Sequence, residues 1–369
     1  MAKTPLQRLS ELGQSVWIDY LSRSLIHDGD LERMMDRDAV VGVTTNPTIF
    51  QKAMAEGDAY DGQLKDVLAH ESDDTEVFLN VATTDVSDAC DLLHPVWDAG
   101  GGRDGYVSIE VTPDLAYDTD GTIAQAQRLH EWVDKPNLLV KIPATEAGLP
   151  AIEEMIARGR SINVTLIFSL ERYRRVTEAY LRGIERLVKS GGDPSTVASV
   201  ASFFVSRVDT EIDKRLEQLG GHDDLLGKGA IANAKIAYEL YQGIFAGERW
   251  DQLAAKGATP QRCLWASTST KNPDYRDVLY VEELIGRDTV DTMPEATIRD
   301  FQDHGEVRGP TVEEDVEGAH RTLDALGEAG VDYDDVTATV EREGVEKFAD
   351  SFDELLQEVA HKRDTLVAA

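Results

Sequence analysis

The chain has 369 residues, 69 of them acidic and 37 basic, for a formal net charge of −32. A field of that sign opposes binding to DNA, RNA or an anionic membrane surface. No apolar run approaches the roughly 18–20 residues of a membrane span and the first residues lack a signal-peptide core, so a cytoplasmic protein is expected. Cys90 and Cys263 stand far apart with no CxxC or Cys/His clustering, which argues against a disulfide framework or a zinc site. The histidines form no metal-ligand pattern either.

Apolar runs of strand character fall at 16–19, 40–44, 106–111, 138–142, 162–168, 197–202, 263–266 and, less sharply, 278–281. Most are separated by segments of helical spacing. In 170–188, Tyr173, Val176, Tyr180, Ile184 and Leu187 recur every three or four residues, and Val208, Ile212, Leu216 and Leu219 repeat the pattern. Turn residues punctuate the boundaries: Gly100 to Gly102 with Asp104 and Gly105 before the third strand, Gly191 to Pro194 before the sixth. Ser169 or Asp120 is positioned to cap the helix that follows it.

Short strands alternating with amphipathic helices imply parallel pairing through crossovers, and eight of them predict an α/β fold, the (β/α)8 TIM barrel. The expected organisation is one barrel domain over 1–369, with helical insertions at about 45–105 and a helical segment at about 295–369. In that segment Phe348, Phe352, Leu355, Leu356 and Val359 share one face, which is expected to pack on the barrel.

A barrel of this kind carries its chemistry at the carboxyl ends of the strands. Lys141 is the centre of interest, because an ammonium inside the apolar run LLVKIPAT is costly unless it is compensated or neutral. Desolvation favours the neutral amine, the species that attacks a carbonyl to form a Schiff base. Polar residues end the other strands: Asp19, Thr44 to Asn46, Glu110, Thr165, Ser202 with Arg207 beyond it, and Ser267. Each has a structural explanation taken singly, as cap, β-former or turn residue. Together they are the acid, base and donor groups that imine chemistry needs.

The segments GVTTNPTIF (42–50), VSIEVTPDLAYD (107–118), LLVKIPAT (138–145), INVTLIFS (162–169) and VASFFVSRVD (200–209) together resemble transaldolase. LWASTSTKNPDYRDVLYVEEL (264–284) and TVDTMPEAT (289–297) resemble its longer-chain bacterial branch. The resemblance implies a barrel circularly permuted relative to other Schiff-base aldolases, with the lysine on the fourth strand, where the strand count also puts Lys141. It implies an enzyme of the pentose phosphate pathway that moves a dihydroxyacetone unit from sedoheptulose 7-phosphate or fructose 6-phosphate to an aldose phosphate. Lys141 would form the Schiff base, Asp19 would take the C4 hydroxyl proton, and Glu110 with Thr165 and a water would relay protons. Asn46 would hold the bound fragment, and with the iminium as electron sink no metal or organic cofactor would be required. Arg207, Ser202 and Ser267 would bind the phosphate, and Phe203 matches the transferase pattern. Where the short branch has an arginine two residues after the serine, this chain has Ser269, and Lys271 is the expected replacement.

The rivals are a fructose 6-phosphate aldolase of the same fold and a non-catalytic barrel scaffold. The expected partners are sugar phosphates, with no nucleic acid and no membrane, and the protein is expected as a monomer or homodimer. Acidic excess with only 13 lysines also resembles proteins adapted to salt-rich cytoplasm, where screening suppresses self-repulsion. The melting temperature is therefore expected to rise between low and molar KCl; a constant or falling value would remove salt adaptation.

Overall fold

Eight short strands pair in chain order, every pair parallel, and the last closes on the first. The computed structural model describes residues 3–55 and 57–367. The strands are β1 (Gln14–Ile18), β2 (Val40–Val43), β3 (Tyr106–Glu110), β4 (Leu138–Pro143), β5 (Ile162–Ile167), β6 (Ser199–Phe204), β7 (Arg262–Ala266) and β8 (Thr289–Met293). Nearly all their residues are buried, as expected of parallel strands with side chains inside the barrel on one face and helices on the other.

Helix α1 (Pro5–Glu11) precedes β1, and α2 (Arg23–His27) with α3 (Asp30–Asp38) forms the first crossover. Three helices, α4 (Pro47–Ala55), α5 (Asp61–Leu68) and α6 (Asp74–Ala99), lie between β2 and β3. The next crossovers use α7 (Thr119–Val133), α8 (Gly148–Ala157) and α9 (Leu170–Lys189). Then α10 (Ser206–Leu219), α11 (Gly229–Ile244) and α12 (Glu248–Ala254) separate β6 from β7, and α13 (Leu279–Glu283) separates β7 from β8. Beyond the barrel come α14 (Glu295–His304), α15 (Val316–Ala329) and α16 (Tyr333–Val367). Among the described residues no helix is long and apolar enough to cross a membrane.

Three sequence expectations are corrected. Residues 278–281 are not the eighth strand: Val278, Val281, Leu284 and Ile285 are buried at helical spacing around α13, and the strand is Thr289–Met293. Its buried Thr289, Asp291 and Thr292 gave it a polar composition that hid it. The sixth strand starts two residues later than expected, at Ser199, because a 3-10 turn over Pro194–Thr196 leads into it. The cap of α7 is Asp118, whose carboxylate accepts from the Gly121 amide at 3.1 Å, and Asp120 lies inside the first turn. Ser169 does cap α9, accepting from the Arg172 amide at 3.0 Å.

The amino end of the barrel is closed by a polar plug. Arg262 of β7 donates to Ser15 Oγ of β1 at 2.5 Å and to Asp104 Oδ1 at 3.1 Å, while Trp17 Nε1 donates to the same carboxylate at 3.3 Å. Above the plug the Trp17 ring fills the lumen across Gly42, where a Cβ would lie 2.5 Å from ring atoms. Only glycine leaves that space.

The carboxyl end is partly roofed by α16. It buries Phe348, Phe352, Leu355 and Val359, with Leu356 only partly covered, and packs on α4, α5, α6 and α10. Phe352 meets Phe78 edge-on with centroids 5.7 Å apart, and Thr48 Oγ1 donates to Ser351 Oγ at 2.7 Å. The three helices inserted between β2 and β3 are thus the seat of the C-terminal helix.

Gly42→Ala is expected to destabilise the fold by about 1–3 kcal/mol through overpacking against Trp17, measured by denaturant unfolding. An unchanged midpoint would show that the ring can move aside at no cost.

Candidate active site

The strand register puts Glu110 opposite Lys141, and Lys141 opposite Asn163, in one row across β3, β4 and β5. All three side chains point into the lumen. Lys141 Nζ lies 3.1 Å from Glu110 Oε2 and donates to the Thr45 carbonyl at 2.9 Å; both charged side chains are only 6% exposed. Burial pushes the Glu110 carboxyl up from the ordinary range, against the pull of Lys141, and Asp19 adds to the rise.

Asp19 follows β1 directly, its amide donating to the Met293 carbonyl at 2.9 Å, and the Thr44 hydroxyl donates to its Oδ1 at 2.8 Å. Burial pushes this carboxyl up too, opposed first by Lys141 and then by the Thr44 hydrogen bond. Asn46 turns its Oδ1 back to the Ile49 amide at 3.1 Å, which leaves its NH2 available on the cavity side. Thr165 is fully buried, and its hydroxyl has no hydrogen-bond partner among the described residues. The next residue, Leu166, has φ 60° where the register with β6 slips, so local backbone strain sits beside an uncommitted hydroxyl.

The other end of the site is cationic. Arg207 is the second residue of α10, its Cζ 5.4 Å from the Phe204 ring centroid and 5.7 Å from that of Phe348 on α16. Burial pushes this guanidinium down, while Asp19 and Glu110 counteract it through space. Ser267, at φ 59°, turns the chain out of β7, with its Oγ 2.7 Å from Ser206 Oγ. Lys271 Nζ donates to Ser269 Oγ at 2.6 Å; burial, then Lys347 and Arg207, push its ammonium down.

Asp19, Asn46, Lys141, Thr165, Ser202, Arg207, Ser267 and Lys271 therefore line one cavity of about 130 Å³, with Glu110 against Lys141 in its floor. A larger groove of about 720 Å³ runs along the outer wall past Tyr20, Arg33 and Glu295 and contains none of these residues. The smaller cavity holds the buried charges and uncommitted donors, and is the chemically equipped one.

Two expected residues sit differently. Phe203 points outward, edge-on to Tyr173 and Trp265 at 6.1 and 6.3 Å, because side chains alternate along β6; its neighbour Phe204 faces the cavity. Ser202 spends its proton on Asn163 Oδ1 at 2.7 Å rather than on the cationic end. Asn163 was not singled out from the sequence, although period-two alternation from Thr165 would have put it on the same face. It donates to Ser108 Oγ at 3.1 Å, so Ser108, Asn163 and Ser202 form a chain of hydrogen bonds below Lys141. Thr44 is legible in the sequence only as a polar strand end, and the structure adds its hydrogen bond to Asp19. Phe348 is legible only as part of the apolar face of the C-terminal helix, and nothing local places it in the cavity.

Residues 16–359 match the family model described as transaldolase/fructose-6-phosphate aldolase. A transaldolase of Mycolicibacterium paratuberculosis (strain ATCC BAA-968 / K-10) is 55% identical over 356 residues, covering 96% of this chain and 95% of the relative. A transaldolase of Acidothermus cellulolyticus is 54% identical over 352 residues, covering 95% of each. A transaldolase 2 of Streptomyces avermitilis is 52% identical over 354 residues, again covering 95% of each.

Removing the Thr44 hydroxyl takes away one of the groups that lower the Asp19 pKa. Thr44→Val is expected to move the Asp19 carboxyl titration to higher pH in ¹³C NMR, and Thr44→Ser to leave it in place. An equal titration in both variants would mean that the hydrogen bond does not govern this carboxyl.

Proposed function

Because the chain belongs to the transaldolase/fructose-6-phosphate aldolase family, we propose that it is a transaldolase of the pentose phosphate pathway, acting in the cytoplasm on ketose and aldose phosphates. The observation that carries this reading is the buried Lys141 amine, held between Glu110 Oε2 and the Thr45 carbonyl with Asp19 and Thr165 in the same cavity.

Transfer of a proton from the Lys141 ammonium to Glu110 converts a buried ion pair into a neutral pair, a change that burial favours. The amine then attacks C2 of fructose 6-phosphate or sedoheptulose 7-phosphate, and the carbonyl oxygen leaves as water after protonation. Glu110 and the Thr165 hydroxyl, through a water, serve this carbinolamine stage. Asp19 takes the proton of the C4 hydroxyl; its carbonyl forms as the C3–C4 pair moves into the iminium, giving an enamine on Lys141. Glyceraldehyde 3-phosphate or erythrose 4-phosphate leaves, the other adds through the same steps in reverse, and hydrolysis of the new imine restores the amine. Asn46 and the Asn163 to Ser202 pair hold the three-carbon fragment. Arg207, Ser267 and Lys271 bind the phosphate, supported by the unpaired guanidinium at the start of α10.

An aldolase of the same fold would use the same first half-reaction and release free dihydroxyacetone. Names of relatives at 52–55% identity favour the transferase.

Incubation with fructose 6-phosphate and borohydride is expected to add a dihydroxyacetone-derived mass to the Lys141 peptide, with none on a Lys141→Arg protein. An adduct on a different lysine would overturn the mechanism. In the absence of an aldose acceptor turnover is expected to stall, and steady accumulation of free dihydroxyacetone would make the protein an aldolase instead.

A further inference from the structure

The cationic end of the cavity gains a third charge from a part of the chain far outside the barrel. Along α16, Gly344, Phe348 and Ser351 lie on the side that meets the mouth. A Cβ on Gly344 would be 3.3 Å from Arg207 Nη1 and 3.2 Å from Leu166, Phe348 lines the cavity beside Arg207, and Ser351 accepts from Thr48. Lys347 is one turn after Gly344 and adjacent to Phe348, so the helix that closes on Arg207 carries this ammonium to the rim.

The charges there are arranged against their own repulsion. Burial, Arg207 and Lys52 all push the Lys347 ammonium down, and Lys347 is the strongest charged influence on Lys271. Glu343 stands four residues before Lys347, the spacing at which helical ion pairs commonly form, yet among the described residues Arg207, Lys271 and Lys347 have no carboxylate partner. In a chain with 69 acidic residues against 37 basic, two unpaired cations lining one cavity, with a third on the helix that covers its rim, point to an anion brought by the ligand.

We propose that Lys347 is a ligand of the substrate phosphate, so that the C-terminal helix completes a subsite with Arg207 and Lys271. This rests on the sugar-phosphate reading of the cavity. A phosphate dianion offers three oxygens, enough for Arg207 from one side, Lys271 from the β7 loop and Lys347 from the roof. The helix therefore binds substrate as well as covering the barrel.

The test uses the full chain and two probes. Inorganic phosphate binding is measured by calorimetry at low ionic strength, and KM and kcat are measured with fructose 6-phosphate. Borohydride trapping with unphosphorylated dihydroxyacetone reports on the lysine end alone. Lys347→Ala is expected to weaken phosphate binding and raise KM roughly tenfold, with kcat changed less than about twofold, and Lys347→Arg to restore most of both. Dihydroxyacetone trapping should match that of the unsubstituted protein. Unchanged phosphate affinity in Lys347→Ala would overturn the proposal, as would an equal loss of dihydroxyacetone trapping, which would mark a structural role. Failure of the transaldolase reading would show separately, as no adduct in the unsubstituted protein while the phosphate measurement still reports on the subsite.

Discussion

Two opposite charges at the floor of the cavity, Lys141 and Glu110, constrain the rest of the structure. Each is almost wholly out of water, and each would cost several kcal/mol to bury alone. Their 3.1 Å contact and the Thr45 carbonyl offset that cost only if β2, β3 and β4 keep their register. A slip of one residue on β4 would turn Lys141 into the helix layer and leave Glu110 unpaired. Closing the sheet on itself fixes that alignment, and the plug of Arg262, Asp104 and Ser15 locks the opposite end. The same pair is a proton reservoir: burial makes the Glu110 carboxyl willing to take the proton that the amine must lose.

Separation of charge along the cavity follows from this arrangement. Acidic and imine-forming groups occupy the floor and the β1 side, and unpaired cations occupy the rim at α10, the β7 loop and α16. Asp19 feels both ends, since burial raises its pKa while Lys141, Arg207 and Lys271 lower it. Substrate phosphate at the rim would reduce the influence of those cations, so binding at one end and proton affinity at the other are coupled through the field. The strained residues Leu166 and Ser267 lie where the chain must leave barrel geometry to set this up.

The helices outside the barrel have a similar logic. Residues 47–99 form more helix than a crossover needs, and the surplus gives α16 its seat through Phe352 on Phe78, Ser351 with Thr48, and Lys362 with Asp61 at 2.7 Å. With that seat in place, Phe348 reaches Arg207. An insertion near the start of the chain and a helix at its end thereby shape one wall of the cavity.

Local pattern alone made most of this legible. Apolar runs of strand length, helical spacing between them and polar residues at their ends determined the barrel, Lys141 on its fourth strand, and the set of Asp19, Asn46, Glu110 and Thr165, because period and burial are properties of neighbours in sequence. Where burial and polarity disagreed, the pattern misled: β8 is buried yet rich in threonine and aspartate, and the short apolar run at 278–281 is a helix edge. Phe203 was expected from the resemblance, yet it packs on Tyr173 and Trp265 while Phe204 lines the cavity, because side chains alternate along β6. Only the tertiary structure decided that Ser202 serves Asn163 and that Gly344, Lys347 and Phe348 belong to the mouth. Those contacts join residues up to some 180 positions apart, and no local pattern encodes which distant helix face will be pressed against a strand end.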